Sequence, residues 1–426
     1  MIFNPKLKIS YFNNHWQTNT FTANFTMTKK ERIVLYLLAA LNFTNILDFM
    51  IMMPLGNFLM PHFKISAQFF SLIVAAYPIA SFVSSIAAAF FVDKYDRKKV
   101  LLFAYTGFLI GTICCGIAPD PVFLIAARVL TGLFGGLIGT QILSIVADTF
   151  EYEKRGRAMG VIFTAFSVSS IFGVPFSLYL ARLISWHAPF LFIGIVGLFV
   201  IPLIIRFLPA MTNHLKNQVI EKIDPREILL ELSKNKSQLL ALSLSGLLMM
   251  GHFLIIPFIN PYMEYNVGFT KDQTPLIYLT GGVFSLIASN IIGRMADKHG
   301  KLRIYLSCAG ISLLPIFLIT NMPAIPFYFV LCVFAIWFSL STGRTIPAQA
   351  MISTVVNPEK RGLFMSFNAS IQQLFTGLAS LLSGLIVVKE ASGKILHYNW
   401  VGYLSILIVF STLFIAHKLA KRQGLQ

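Results

Sequence analysis

Three ionisable side chains stand where the surrounding sequence is almost wholly apolar. Asp48 lies in Phe43-Thr44-Asn45-Ile46-Leu47-Asp48-Phe49-Met50-Ile51-Met52-Met53-Pro54, Arg128 in the run that continues Val129-Leu130-Thr131-Gly132, and His252 in Met249-Met250-Gly251-His252-Phe253. A carboxylate in apolar surroundings takes up a proton or holds a cation, because burial penalises its charged form. Histidine titrates near neutrality, although a lone histidine on an apolar helix serves equally as a packing or pocket residue. These types suit the binding and release of a proton better than bond-making chemistry. No nucleophile–base set, Gly-rich phosphate loop, HExxH or Walker motif accompanies them, so no cofactor, no metal and no direct use of ATP are expected.

Two further groups are spread along the chain. Asp93, Arg97 and Asp148 fall at the ends of apolar runs, where by themselves they read as solvated loop charges and helix caps. Asn42, Asn45, Gln141, Asn260, Tyr262, Gln349, Asn368, Gln372 and Gln373 interrupt apolar stretches and are candidates to line a polar cavity. Gln372 and Gln373 are adjacent, so on a helix they point about 100° apart and do not both face one cavity squarely. Arg344 has no evident partner and is a candidate for substrate contact. Phe49, Met50, Met52 and Met53 flank Asp48 and offer an adaptable apolar surface.

The elements that carry these residues follow from composition. The chain has 426 residues, of which 56% are hydrophobic and 12% charged, against about 25% charged in soluble domains. A soluble enzyme and a disordered scaffold are both excluded. Apolar runs of the length needed to cross a bilayer, about 20 residues, occur near 33–60, 67–92, 100–118, 121–149, 158–183, 188–209, 239–264, 274–296, 304–322, 327–355, 363–388 and 400–420. Lipid leaves helix as their only plausible structure, and they lack the dyad alternation of a barrel. The fold class expected is all-α integral membrane, with twelve transmembrane helices.

The polar stretch 210–238 divides the chain into a six-helix bundle over 33–209 and another over 239–420, with tails 1–32 and 421–426. Asp224-Pro225-Arg226-Glu227 has the form of a capped helix start, so a short surface helix is expected in that linker. Met27 looks like a natural start, leaving residues 1–26 as an over-called start or a disordered tail. Cys114, Cys115, Cys308 and Cys332 all lie in apolar runs and suit small core positions rather than disulfides.

The net charge of +17 is explained by where Lys and Arg fall. Lys64, Arg182, Lys271, Lys389 and Lys394 lie on one side of the twelve runs; all the others except Arg128 and Arg344 lie on the side of the termini. That asymmetry puts both termini in the cytoplasm and removes the need for a nucleic-acid partner. It also fixes depth. Asp48 sits about 22 Å up from the cytoplasmic edge and Arg128 about 9 Å below the outer edge, given the helical rise. In a core about 30 Å thick they meet at matching depth. A proton on Asp48 would break an Asp48–Arg128 pair, and its loss would restore it. The other readings are a static ion pair and a carboxylate facing a water-filled vestibule.

The halves repeat one connection. Asp93-Lys94-Tyr95-Asp96-Arg97-Lys98 follows the second run and Asp297-Lys298-His299-Gly300-Lys301-Leu302 the eighth. This implies a parallel repeat about an axis along the membrane normal. The loops resemble the signature of the major facilitator superfamily, G-x-L-a-D-R-x-G-R-K. The second copy, from Gly293 to Lys301, is close to intact. The first has Ala89 and Asp96 where the signature has glycine, and Asp96 can take a left-handed turn, though less readily.

Further motifs resemble the twelve-span drug/proton antiporter branch: Arg128-Val129-Leu130-Thr131-Gly132, then Arg155-Gly156-Arg157, and Gly173-Val174-Pro175 as a reduced helix 5 antiporter motif, since Phe176 and Ser177 follow where that motif has more glycine. Gly343-Arg344-Thr345-Ile346-Pro347-Ala348-Gln349 and Pro358-Glu359-Lys360-Arg361-Gly362 complete the set. The resemblance covers about residues 30–420.

The resemblance implies two pseudo-symmetric bundles rocking about a central site. It agrees with proton coupling through Asp48 and Arg128, with His252 a further candidate from its own titration range, and it implies a latch involving Asp93, Arg97, Asp148, Asp297, Gly293 and Gly300. The expected protein is a proton-coupled exporter of small amphipathic compounds in a bacterial-type cytoplasmic membrane. Its partners would be protons, a small-molecule substrate and lipid, and a monomer suffices because the halves pack within one chain. Proton-coupled uptake of a sugar or nucleoside is the alternative, with a membrane enzyme or a non-transporting sensor further off.

Overall fold

The computed structural model describes residues 27–212, 215, 234–356 and 361–424. Residues 1–26 and the expected linker helix at Asp224 lie outside the described residues. Among the described residues, twelve helices are long and apolar enough to span a membrane. They are α1 Lys29–Ile51, α2 Ala67–Ala88, α3 Arg97–Gly116, α4 Pro121–Thr149, α5 Lys154–Leu183, α6 Ala188–Phe207, α7 Lys236–Val267, α8 Thr274–His299, α9 Lys301–Thr320, α10 Phe327–Ser353, α11 Arg361–Ile386 and α12 Tyr398–Gln423. A short helix, Gly56–Phe63, joins α1 to α2, and a two-stranded hairpin, Val388–Lys389 with Ile395–Leu396, joins α11 to α12.

Local chemistry sets the helix ends. Thr28 begins α1 with a complete capping box to Glu31, Asp120 caps α4 ahead of Pro121, and Asn235 caps α7. Each side chain supplies an acceptor to backbone N–H groups that have no partner in the first turn. The first span ends at Ile51, well before the expected 60, because Pro54 follows in a turn and cannot continue the hydrogen-bond ladder. The helix 5 motif produces a π-turn, Ser169–Gly173, immediately before Val174-Pro175. Proline lacks the N–H that would close the ordinary ladder there.

The two signature loops turn by different means. Gly300 has φ +92°, in the left-handed region that favours glycine. Asp96 does not take the left-handed conformation expected of it. It has φ −58° and caps α3, accepting from the backbone N–H of Lys98 at 2.9 Å and of Met211 at 3.0 Å. A carboxylate that can cap satisfies two donors at once and removes the need for a left-handed residue.

Small residues bring the inner helices together. A Cβ at Gly132 of α4 would collide with the backbone of Tyr77 in α2, and one at Gly135 with the Tyr77 hydroxyl. Glycine at these positions lets α4 lie directly against α2, and this approach positions the central site. The halves pack along α2 against α11, where Gly377 meets Ile79 and Gly384 meets Ser71, and on the side away from the termini. There Asn260 donates to the Pro54 carbonyl at 3.0 Å, Phe70 meets Phe258 edge-on at 6.0 Å, Lys271 lies over the Phe58 ring at 5.0 Å, and Arg182 pairs with Asp272.

Candidate proton-binding site

Asp48 and Arg128 meet inside the N-terminal half, both completely buried. Arg128 Nη1 donates to Asp48 Oδ2 at 2.6 Å, and Thr112 Oγ1 of α3 donates to Oδ1 at 3.1 Å. The guanidinium carbon lies 4.7 Å above the ring of Tyr77. Arg128 Nε and Nη2 have no hydrogen-bond partner. The arrangement follows from the R-x-x-x-G spacing: Gly132 admits the backbone of Tyr77, and Arg128, one turn earlier, then lies over that ring. Tyr77 is held in turn by its hydroxyl, which donates to Asn45 Oδ1 at 2.5 Å.

This cluster can bind one proton with a structural consequence. With Asp48 ionised, the pair is charge-assisted and short. With Asp48 protonated, Oδ2 loses its claim on a guanidinium that keeps only the Tyr77 face and a 3.4 Å contact to the Asp48 carbonyl. Leaving one member of such a buried pair without its partner costs about 3–5 kcal/mol, enough to shift a two-state packing.

His252 lies in the other half, in α7. Its Nδ1 is 3.0 Å from Ser341 Oγ of α10, and its ring stacks on Trp337 at 4.8 Å. It also touches Phe253, whose ring meets Phe49 of α1 at 5.7 Å across the junction of the halves. Asp48 and His252 are therefore in separate hydrogen-bond clusters, with the Phe49–Phe253 ring contact between them.

The latch residues are placed unequally. Arg97 pairs with Asp148, partly buried, and Arg155 closes the end of α4 beside them by donating to the carbonyls of Ala147 and Phe150. Asp93 falls in the turn Val92–Lys94, and its side chain is outside the described residues. Asp297 is exposed, and Gly293 has open space where a Cβ would lie. Gly173 lets α5 approach Leu47 of α1, one residue before Asp48, and Pro175 follows it.

The candidate cavity residues do not form one cluster. Asn45 is engaged with Tyr77. Gln141 is fully buried in the N-terminal half with both amide atoms unpartnered. Met52 is packed in the core at 1% exposure. Asn260 bridges the halves, and Tyr262 donates to the carbonyl of Met322. Gln349, Asn368 and Gln372 do lie near one another: Asn368 Nδ2 donates to Gln349 Oε1 at 3.4 Å, and Gln372 to Ser245 at 2.8 Å. Arg344 is 1% exposed, and its Nη1 makes a single 3.4 Å contact to Ser312.

Sequence reasoning missed Thr112, Tyr77 and Ser341. Each is one polar atom on an apolar helix. Thr112 lies four residues from the far end of α3, a depth that would have matched it to Asp48; Tyr77 carries no such signal, since it reads as one aromatic among many.

The sequence profile described as Major Facilitator Superfamily matches residues 38–250 and again 241–423. The chain is 25% identical over 313 residues to a Bacillus subtilis (strain 168) protein, uncharacterized MFS-type transporter YbcL, covering 74% of this chain and 77% of that one. It is 31% identical over 150 residues to Multidrug resistance protein 3 of the same organism, covering 35% of this chain and 29% of that one. Among solved structures it resembles a D-xylose-proton symporter with a TM-score of 0.72 at 15% identity, covering 89% of this chain and 97% of the other.

Proposed function

The chain belongs to the major facilitator superfamily, a family of membrane transporters rather than enzymes, and we propose that it is a proton-coupled exporter of small amphipathic organic compounds. The observation that carries this reading is the enclosed Asp48–Arg128–Thr112 cluster. A carboxylate and a guanidinium buried in mid-membrane are expensive to keep unless they do something, and an exchangeable proton gives them a task. The partial likeness to Multidrug resistance protein 3 supports a small organic substrate. The asymmetry of Lys and Arg puts the termini in the cytoplasm of a bacterial-type inner membrane. The contacts between the halves on the outer side are those that an alternating-access cycle must make and break. In that cycle the Arg97–Asp148 pair is a latch at the terminal-side end of the N-terminal half, and protonation of Asp48 is the step that loosens that half.

The test is proton movement in inverted vesicles with a preset pH gradient, challenged with dyes, antibiotics, sugars and nucleosides. Export by antiport predicts compound-triggered proton efflux from the acidified lumen. Proton movement in the opposite sense, triggered by a sugar or nucleoside, would replace export with uptake. Absence of any compound-linked proton movement would remove the coupling.

A further inference from the structure

The middle of the membrane holds more positive than negative charge. Away from the ends of the spans, the described residues include two guanidiniums, Arg128 and Arg344, and one carboxylate, Asp48. Asp48 is fully committed to Arg128 and Thr112. Arg344 is left over. Among the described residues no carboxylate is paired with it; Nη1 has a long contact to a serine hydroxyl, and Nη2 has no partner. A fully buried cation so poorly satisfied calls for a compensating group.

The surroundings of Arg344 are suited to more than a bare ion. One turn back on α10, Ser341 hydrogen-bonds His252 at 3.0 Å, and residues three apart share one face of a helix. The His252 ring stacks on Trp337 and meets Phe253 and Phe338 edge-on. From Phe253 the aromatic contacts cross to Phe49 and then to Tyr77, under Arg128. A donor-rich, acid-free pole thus adjoins an aromatic seam between the halves.

From this we infer that the transported compound is an amphipathic organic anion, its acidic group held by Arg344 with Ser312, Ser341 and His252, and its planar apolar body placed in the Phe49–Phe253 seam. The inference rests on the transport reading and narrows its substrate class. Guanidinium suits oxyanions through parallel N–H donors. A cationic drug would find no uncommitted carboxylate at this depth and would face a surplus positive charge. The site is closed in this conformation, so the anion enters as α10 and α7 part.

The probes are 2-naphthalenesulfonate, the uncharged 2-naphthalenesulfonamide and a naphthylmethyl-trimethylammonium salt, added to the purified full-length protein in detergent and read by thermal unfolding. The sulfonate is expected to raise the unfolding midpoint of wild type and to outrank the other two. Arg344→Gln is expected to weaken that binding at least tenfold, while Arg344→Lys retains part of it. If Arg344→Gln does not fold, the charge ranking on wild type still decides. Equal or stronger binding of the amide or the ammonium compound, an unchanged sulfonate response in Arg344→Gln, or no binding of the sulfonate at millimolar concentration would overturn the inference. Chloride alone giving the full stabilisation would assign the charge to a resident inorganic ion and overturn it also. Cation-linked proton flux in vesicles would defeat the anion assignment and leave the transport reading standing, whereas no compound-linked flux of any charge class would defeat the transport reading itself.

Discussion

The two six-helix halves share a repeat but spend their polar residues differently. Thr28 and Asn235 cap the first helix of each half, and counting from them sets Asn45 opposite His252 and Asp48 opposite Ile255. The shared Glu-Lys-Arg-Gly of the connections at 153–156 and 359–362 sets Arg128 opposite Phe334 and Asp148 opposite Thr354. Where the N-terminal half has a buried ion pair, the C-terminal half therefore has Ile255 and Phe334, both fully buried. Where the first half latches Arg97 to Asp148, the second has Lys301 and a threonine. The N-terminal half pairs its carboxylates with arginines; in the C-terminal half, among the described residues, no carboxylate pairs with Arg344 or His252. A duplicated fold fixes where helices run, and single substitutions at equivalent depths then divide the labour between the copies.

The strongest way to break this contrast is to remove one charge from each half. Asp48→Ala leaves Arg128 buried alone and is expected to cost about 3–5 kcal/mol, seen as a collapse in folded yield or unfolding midpoint. Arg344→Met removes a cation that has no acid partner and is expected to leave stability equal or higher by about 1 kcal/mol or more. A comparable loss for both would erase the distinction. Replacing the whole pair, Asp48→Leu with Arg128→Met, should fold far better than Asp48→Ala and still fail to couple protons.

Packing gives the next effect. Gly132→Ala drives a methyl into the Tyr77 backbone and should cost about 1–3 kcal/mol, with loss of transport as Arg128 is displaced; Gly293→Ala meets nothing and should be silent in the same unfolding and flux assays. Smaller still, Arg97→Gln should lower stability by about 1 kcal/mol or less, because its pair is partly exposed, while slowing transport severalfold. Lys301→Gln should change neither. If the two behave alike in flux measurements, the latch is not confined to the first half.

Much of this was legible in the sequence. Span number, the six-plus-six division and the meeting of Asp48 with Arg128 all followed from apolar length and helical rise, because lipid leaves few alternatives. Three things were not. The end of α1 at Ile51 was overshot, since hydrophobicity runs on past Pro54 while the backbone does not. Asp96 was assigned a glycine's conformation when its side chain caps instead. The polar cavity residues were grouped by type, but rotation about each helix sends Gln141 and Met52 into packing and Asn260 to the junction of the halves; composition carries depth better than direction.

The central claim is that Asp48 carries the coupled proton. It is tested most directly by reconstituting wild type and Asp48→Asn in liposomes and comparing proton-driven accumulation with simple exchange of a labelled substrate. The account predicts that Asp48→Asn, which keeps the shape of the protonated acid, still exchanges substrate but no longer accumulates it against a gradient when a pH difference is imposed. Uphill accumulation by Asp48→Asn equal to that of wild type would contradict it.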